Sequence, residues 1–382
     1  MTEWKTYRLG EIVATNKKSI GRSYPFSMIK YLDTGSITRN HIESLQEYKL
    51  SEAPSRAKRL VQDGDIIYSA VRPNQLHYGY ISKFPENLVV STGFIVISCN
   101  KDYIEPKFLY YLLTQQEMTD YLHSIADAST SAYPSLKSSD IENLEISLPG
   151  LAEQRRIAGI LGAIDDKIEN NRRINANLES QSQALYKQWF VDSSTVKLGD
   201  VVKTTSGGTP SRSHMEFYVG KYGWVKSKEL NSSFITKTEE TITDDAIAKS
   251  AAKLLPAKSI LIAMYGATVG QYAILSQPMT CNQAVCALLP NENYPYTYLF
   301  MVAKNIKEEL ANKAIGSAQQ NISQVIIKDI DISSDIEKIK QFHKIVCPHF
   351  EVMEKNQKEN ETLATLRDTL LPKLMDGEIK TE

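Results

Sequence analysis

A chain of 382 residues with 42% hydrophobic content can fill more than one core, which sets an expectation of two or three domains. Its 44 basic and 45 acidic residues leave a net charge of −1. That excludes a polycation coating nucleic acid by charge alone, but not a binder whose cations gather on one face.

Residues 1–148 read as a first mixed domain. Strands are expected at Asp65–Ser69, Tyr78–Ile81 and Phe94–Ser98, separated by turn formers such as Arg72-Pro73-Asn74 and Phe84-Pro85-Glu86-Asn87. A helix from Pro106 to about His123 follows, and Leu144, Ile146 and Leu148 alternate as a closing strand. Pro149-Gly150 marks a boundary, beyond which 149–193 reads as one long helix. Residues 194–333 repeat the plan: Lys197-Leu198-Gly199-Asp200-Val201-Val202 echoes Arg8-Leu9-Gly10-Glu11-Ile12-Val13, and Ser259–Ala263 echoes the strand at Asp65. Residues 334–382 form a second long helix, with Ser333 and Ser334 as candidate caps and Pro372 with Gly377 as the expected stop. The architecture expected is α+β: two similar mixed α/β domains alternating with two long helices, a pseudo-twofold internal repeat.

The helices carry the strongest pattern. Four-three spacing selects Ile157, Leu161, Ile164, Ile168, Asn171, Asn175, Leu178, Ser182, Leu185 and Trp189. The same ladder recurs 185 residues later as Phe342, Val346, His349, Met353, Asn356, Asn360, Leu363, Arg367, Leu370 and Leu374. Each rung returns to one helix face every 3.5 residues, which is the seam of a coiled coil. Asn171, Asn175, Asn356 and Asn360 read as register pins, because polar rungs penalise slipped pairings. Centred antiparallel pairing sets Asn171 against Asn360, whereas parallel pairing sets it against Asn356; the asparagines alone leave both open. Domain termini usually lie close together, so a domain inserted between the helices favours the antiparallel pair. The ladder would span roughly 50 Å at 1.5 Å per residue and hold the domains apart.

Catalytic signatures are missing. Asn293-Tyr294-Pro295-Tyr296 departs from the methyltransferase pattern Asn-Pro-Pro-Tyr, and no glycine-rich cofactor turn precedes it. Gly266–Gln271 lacks the lysine ending of a phosphate loop. Asp165-Asp166 reads as the solvated face of a helix. Cys99, Cys281, Cys286 and Cys347 form no Cys-x-x-Cys pair, and His349, near Cys347, falls on the seam, so no metal site is expected. No apolar run reaches spanning length and the N-terminus does not read as a signal peptide, so a cytoplasmic binder without membrane contact is expected.

Several motifs add a resemblance. Leu148-Pro149 followed by Glu153-Gln154-Arg155-Arg156-Ile157, Ser206-Gly207-Gly208-Thr209-Pro210-Ser211, Gly266–Gly270, Asn282-Gln283-Ala284 and Gly316-Ser317-Ala318-Gln319-Gln320 occur in that order. Together with the repeat, they resemble the specificity subunit of type I restriction-modification systems over nearly the whole chain. The first domain departs from the pattern: it lacks Gly-Gly-Thr-Pro, and Thr92-Gly93 stands near the counterpart of Asn282-Gln283. Glu337–Gln341 likewise replaces the Glu-Gln-Arg-Arg start in the second helix.

The resemblance implies a non-catalytic subunit whose two target-recognition domains each read half of a split double-stranded DNA target. Its helices would set the spacer and dock methyltransferase subunits, two per chain. It also implies restriction subunits joined through the complex, with S-adenosylmethionine, ATP and magnesium used by partners and no cofactor on this chain.

Arginine suits guanine, and asparagine or glutamine suits adenine, because their paired groups match those base edges. In the first domain this singles out Arg72, Asn74, Gln75 and His77 for bases, Arg56, Lys58 and Arg59 for phosphates, and Ser131, Tyr133 and Lys137 in a polar loop. The second offers Lys226, Lys228, Tyr265, Asn282, Gln283, Gln319, Gln320 and Asn321, with Asn282 and Gln283 equally able to tie down a turn. Off the seam, Arg155, Arg156, Arg172 and Arg173 are available to a partner or to water. The rival reading is a non-catalytic structural adaptor: two protein-binding domains on a coiled-coil rod.

Overall fold

The computed structural model describes residues 4–128, 135–190, 193–315 and 321–379. The chain forms two compact units, 1–166 with 363–382 and 167–362, each taking in one mixed domain and parts of both long helices.

In the first unit, the sequence-expected strands Ile66–Ser69 and Phe94–Cys99 pair antiparallel and are flanked by Tyr78–Tyr80 and Val13–Thr15. Their side chains are almost all buried on both faces: the helix residues Phe108, Leu109 and Leu122 cover Ile66, Tyr68, Ile95 and Ile97 on one, and a second sheet packs against the other. That sheet runs Gln46–Lys49, Met28–Leu32, Leu88–Ser91, Ala57–Leu60, with its central pair parallel. Leu32, Ile37, Ile67, Val90, Phe94 and Val96 fill the space between them, each fully buried side chain contributing roughly 1.5–3 kcal/mol. Lys5–Arg8 pairs with Glu145–Leu148, joining the start of the domain to its end.

The single helix expected from Pro106 to about His123 is two, Pro106–Leu113 and Gln116–Asp127. The break is local chemistry: the Thr114 hydroxyl donates to Tyr110 O (2.8 Å) and Tyr111 O (3.3 Å), and Gln115 is extended.

The second unit repeats the frame. Lys203–Ser206, Val285–Leu289, Ile260–Ala263, Tyr272–Leu275 and Phe234–Ile235 form its main sheet, Tyr222–Val225 runs parallel to Thr280–Cys281, and Thr195–Lys197 pairs with Asp331–Ser333.

The long helices run Leu151–Phe190 and Ile336–Met375, 40 residues each. All twenty ladder positions are buried or half-buried. The pair is antiparallel, as contacts inside each unit show. In the second unit, Asn171 Nδ2 donates to Asn360 Oδ1 (2.9 Å) and Glu359 Oε2 (2.8 Å), and Asn356 Nδ2 to Asn175 Oδ1 (2.8 Å). Asn175 Nδ2 donates to Met353 O (3.1 Å), while Ser182 Oγ lies 3.0 Å from His349 Nδ1. In the first, Arg367 Nη1 donates to Asp165 Oδ1 (2.8 Å).

Two helix boundaries differ from expectation. Asp335 caps the C-terminal helix, its carboxylate accepting from Lys338 N (3.1 Å), while the Ser333 hydroxyl accepts from Asp335 N and the Ser334 hydroxyl lies 2.8 Å from that of Ser194. Pro372 does not stop that helix. A proline removes one donor, yet its carbonyl still accepts from Asp376 N (2.9 Å), and the chain turns at Gly377, where φ is +72°.

Candidate nucleic-acid interface

Both domains build the same edge from three segments. In the first, Ala70 N donates to Gly93 O (2.8 Å) and Leu136 N to Ala70 O (2.7 Å). In the second, Met264 N donates to Ala284 O (2.8 Å) and Ile322 N to Met264 O (2.9 Å). Isolated bridges join Val71 to Ser135 and Tyr265 to Asn321. The hairpin loops 70–77 and 264–271 thus lie beside the Thr92-Gly93 and Asn282–Ala284 turns, supporting the sequence equivalence of these two turns.

In the first domain, Arg72, Asn74 and Gln75 are exposed on the hairpin loop, and their side chains make no hydrogen bond or ion pair among the described residues. His77 plays another part: half-buried, its Nδ1 lies 2.6 Å from Ile37 O and 3.4 Å from Thr38 Oγ1, which fixes a neighbouring hairpin to the loop. Arg56 backs the edge, its carbonyl accepting from Thr92 N (2.8 Å), with its side chain exposed.

Lys58 and Arg59 share the strand Ala57–Leu60, so alternation sends them to opposite faces. Lys58 is exposed, whereas Arg59 is half-buried with its Nε unpartnered, and burial lowers its pKa. The expected phosphate trio is therefore not one patch. Lys137 is exposed at the start of the short helix Ser138–Glu142, its amide donating to Asp140 Oδ2 (2.7 Å). Ser131 and Tyr133 lie outside the described residues.

The Gly207-Gly208 motif has a steric reason in the second domain. A Cβ at Gly207 would lie 1.9 Å from Cys281 O, and one at Gly208 2.4 Å from Ala251 C. Gly207 lets this loop lie backbone-to-backbone on the Cys281–Gln283 turn and Gly208 lets it lie against Ala251–Ala252; Gly208 N donates to Cys281 O (3.0 Å) and the Thr209 hydroxyl donates to Gln283 Oε1. Asn282 Oδ1 accepts from Ala284 N (3.1 Å), so Asn282 ties down the turn, while Gln283 remains exposed at its tip. Tyr265 is 42% exposed, and Asn321 Oδ1 accepts from Gly266 N (3.3 Å). Gln319 and Gln320 lie outside the described residues.

The second domain's candidate cations, Lys226 and Lys228, are engaged. Lys226, half-buried, pairs with Glu240 and with Glu239 (3.2 Å), and Lys228 pairs with Glu239 (2.8 Å). Arg212, absent from the sequence candidates, grips Glu240 through two bonds (2.7 and 3.2 Å) and lies 4.0 Å over the Tyr218 ring. Arg212 and Lys226 hold the Glu240 carboxyl down to about 2, and its hydrogen bond raises the Lys226 pKa. The acids stand 13 and 14 residues from Lys226 in sequence, with no spacing rule to signal the pairing.

On the helices, Arg155 reaches Glu105 (3.7 Å), Arg156 pairs with Glu153, Arg172 with Glu169 (3.7 Å), and Arg173 donates to Asn170 (2.9 Å). Among the described residues, no three His, Cys, Asp or Glu side chains gather as metal ligands, and no helix is long and apolar enough to cross a membrane.

The sequence model of the type I restriction modification DNA specificity domain matches residues 1–180 and 191–341. The chain belongs to that family. The HindI specificity subunit of Haemophilus influenzae is 27% identical, across 99% of this chain and 100% of that protein. The MjaIX specificity subunit of Methanocaldococcus jannaschii is 28% identical, across 85% and 79%. A crystal structure of the type I restriction-modification S subunit from M. genitalium superposes with a TM-score of 0.60 at 16% identity, covering 98% and 96% of the two chains, and shows the same fold. The chain is a DNA specificity subunit of a type I restriction-modification system, and such subunits are non-catalytic.

Proposed function

We propose that each domain reads one half of a bipartite double-stranded DNA target through its three-segment edge, and that the antiparallel helices fix the unread gap between the halves. The observation that carries this reading is the repetition of one backbone frame, Ala70 with Gly93 and Leu136 in one domain and Met264 with Ala284 and Ile322 in the other. Two similar readers on one chain suit two half-sites, and a helix pair pinned by asparagines suits a constant separation. The contacts fall to Arg72, Asn74, Gln75, Arg56, Lys58 and Lys137 in the first domain, and to Tyr265, Gln283 and Asn321 in the second. Lys226 and Lys228 instead hold Glu239 and Glu240. Ser131, Tyr133, Gln319 and Gln320 remain candidates on their residue types alone.

The helices also dock two methyltransferase subunits per chain, with restriction subunits joining through the complex in the cytoplasm. Ile160 and Ile345, one repeat apart, are 41% and 49% exposed, as expected of apolar contacts that occur twice. S-adenosylmethionine, ATP and magnesium serve the partners. Adenine methylation needs the base out of its stack, so the role of this chain is to set a partner's pocket beside each half-site.

Mapping methylated adenines in cells with and without the gene tests the reading. One split motif should vanish with the gene, and inserting four residues into both long helices should change its gap. A methylome unchanged by deletion, with no salt-dependent DNA binding by the complex, would leave the adaptor reading instead.

A further inference from the structure

Ile37–Thr38 and His41–Ile42 form a hairpin closed by Arg39 and Asn40, whose φ values are +46° and +65°. A two-residue turn of this kind ordinarily takes Asn-Gly, because left-handed backbone crowds any Cβ. The tip is clamped onto the end of the 70–77 loop and the Tyr78–Tyr80 strand that follows it. Arg39 N donates to Leu76 O (2.9 Å), Asn40 N donates to Tyr78 O (2.8 Å), and Asn40 Oδ1 accepts from Tyr80 N (2.8 Å). Gly79 makes room for it, since a Cβ there would lie 2.5 Å from Ile37 Cδ1. The loop it grips is itself left-handed at Arg72 and Leu76, so four of the eight non-glycine residues with positive φ among the described residues fall on this double loop. Strain concentrated and clamped in this way is characteristic of positions that must present a side chain.

That side chain is a cation without a mate. Arg39 is exposed and makes no ion pair or side-chain hydrogen bond among the described residues. It stands beside a cavity of about 190 Å³ also lined by Tyr78, Tyr110, Glu117, Asp165 and Arg367. Asp165 is already taken by Arg367, and Glu117 forms no ion pair with Arg39.

We propose that Arg39 is a specificity-determining residue of the first domain, presenting its guanidinium with that of Arg72 to guanine edges in the first half-site. The inference rests on the proposed reading edge. A guanidinium fork can bond guanine O6 and N7 together, and a clamped turn spares it the ordering cost on binding.

The test uses the full chain in its assembled complex. Arg39→Gly suits the turn, so the melting temperature should not fall, while discrimination at one position of the first half-site should drop about 10- to 100-fold. Arg39→Lys, which keeps the charge but loses the fork, should not restore it. Arg72→Ala is the reference. If it relaxes the motif while both Arg39 variants leave it intact, the Arg39 role is overturned and the edge stands; if neither position matters, the edge itself is wrong. Uniform weakening across sequences with an unchanged motif would make Arg39 a phosphate contact and equally overturn its role in choice. Should Arg39→Gly fail to fold, Arg39→Lys alone decides between a relaxed and an intact motif.

Discussion

The two candidate reading edges share a backbone frame and differ in charge. The first presents Arg39, Arg56 and Arg72 exposed and unpaired, whereas the second binds Arg212, Lys226 and Lys228 to Glu239 and Glu240. What the second leaves outward is mostly neutral: Tyr265, Gln283 and Asn321. Affinity gained by displacing counterions is strongly salt-dependent, while hydrogen bonding to base edges is much less so. One scaffold thus supports a charge-rich candidate edge and a mostly neutral one. The regions where domain meets helix differ in parallel. In the first unit Asp165 accepts from Tyr111 (2.6 Å) and Arg367 (2.8 Å). Phe350, one repeat after Asp165, is wholly buried against Phe300, Tyr296 and Phe234.

The largest effect should come from breaking the polar junction. Asp165→Ala leaves the mostly buried Arg367 with only Asp368 and should cost about 3 kcal/mol, measured by denaturant unfolding of the complex; a change under roughly 0.5 kcal/mol, typical of surface sites, would show the ion pair contributes nothing. The charge asymmetry should be visible in salt titrations. Arg72→Ala should weaken the first half-site by about 1–3 kcal/mol, while Lys226→Ala should leave the salt slope of DNA binding unaltered; a slope lowered by Lys226→Ala would mean its ion pairs open on DNA. The smallest effect concerns pH. Because Glu240 is depressed to about 2, its pairing stabilises the fold above the ordinary carboxylate value of 4.5 and is lost as pH falls toward 2. Glu240→Gln should therefore flatten part of the acid limb of a stability–pH curve, and an identical curve would leave the pairing without weight.

The ladder, the repeat and the strands at Ile66, Tyr78 and Phe94 were legible because each rests on local periodicity. The antiparallel sense followed from the inserted domain rather than from the asparagines, which admit both senses until Asn171 meets Asn360. Spatial pairing of charges was not legible: Lys226 reads as a free cation until Glu240 folds back on it. Lys58 and Arg59 read as one patch although pleating separates them. Arg39 escaped notice because an Arg-Asn turn lacks the glycine that usually marks a hairpin. The Met28–Leu32 sheet was missed because polar residues such as Lys30 and Glu47 interrupt its strands, whereas its neighbour's strands are continuous apolar runs. The 106–123 helix was too long by one break because Thr114 is an ordinary helical residue until its hydroxyl turns back on the preceding carbonyls.

Each domain is closed by a two-stranded ribbon, Lys5–Arg8 with Glu145–Leu148 and Thr195–Lys197 with Asp331–Ser333. The chain therefore enters and leaves at one spot, fastened by backbone hydrogen bonds that do not depend on side-chain identity. Whatever lies between the ribbon strands can change in length and composition without disturbing the connection to the helix, so a genetic crossover within the ribbons would deliver an intact module. On the proposed reading, new target preferences would arise by exchange of whole cassettes, with no need to re-evolve the frame that carries them.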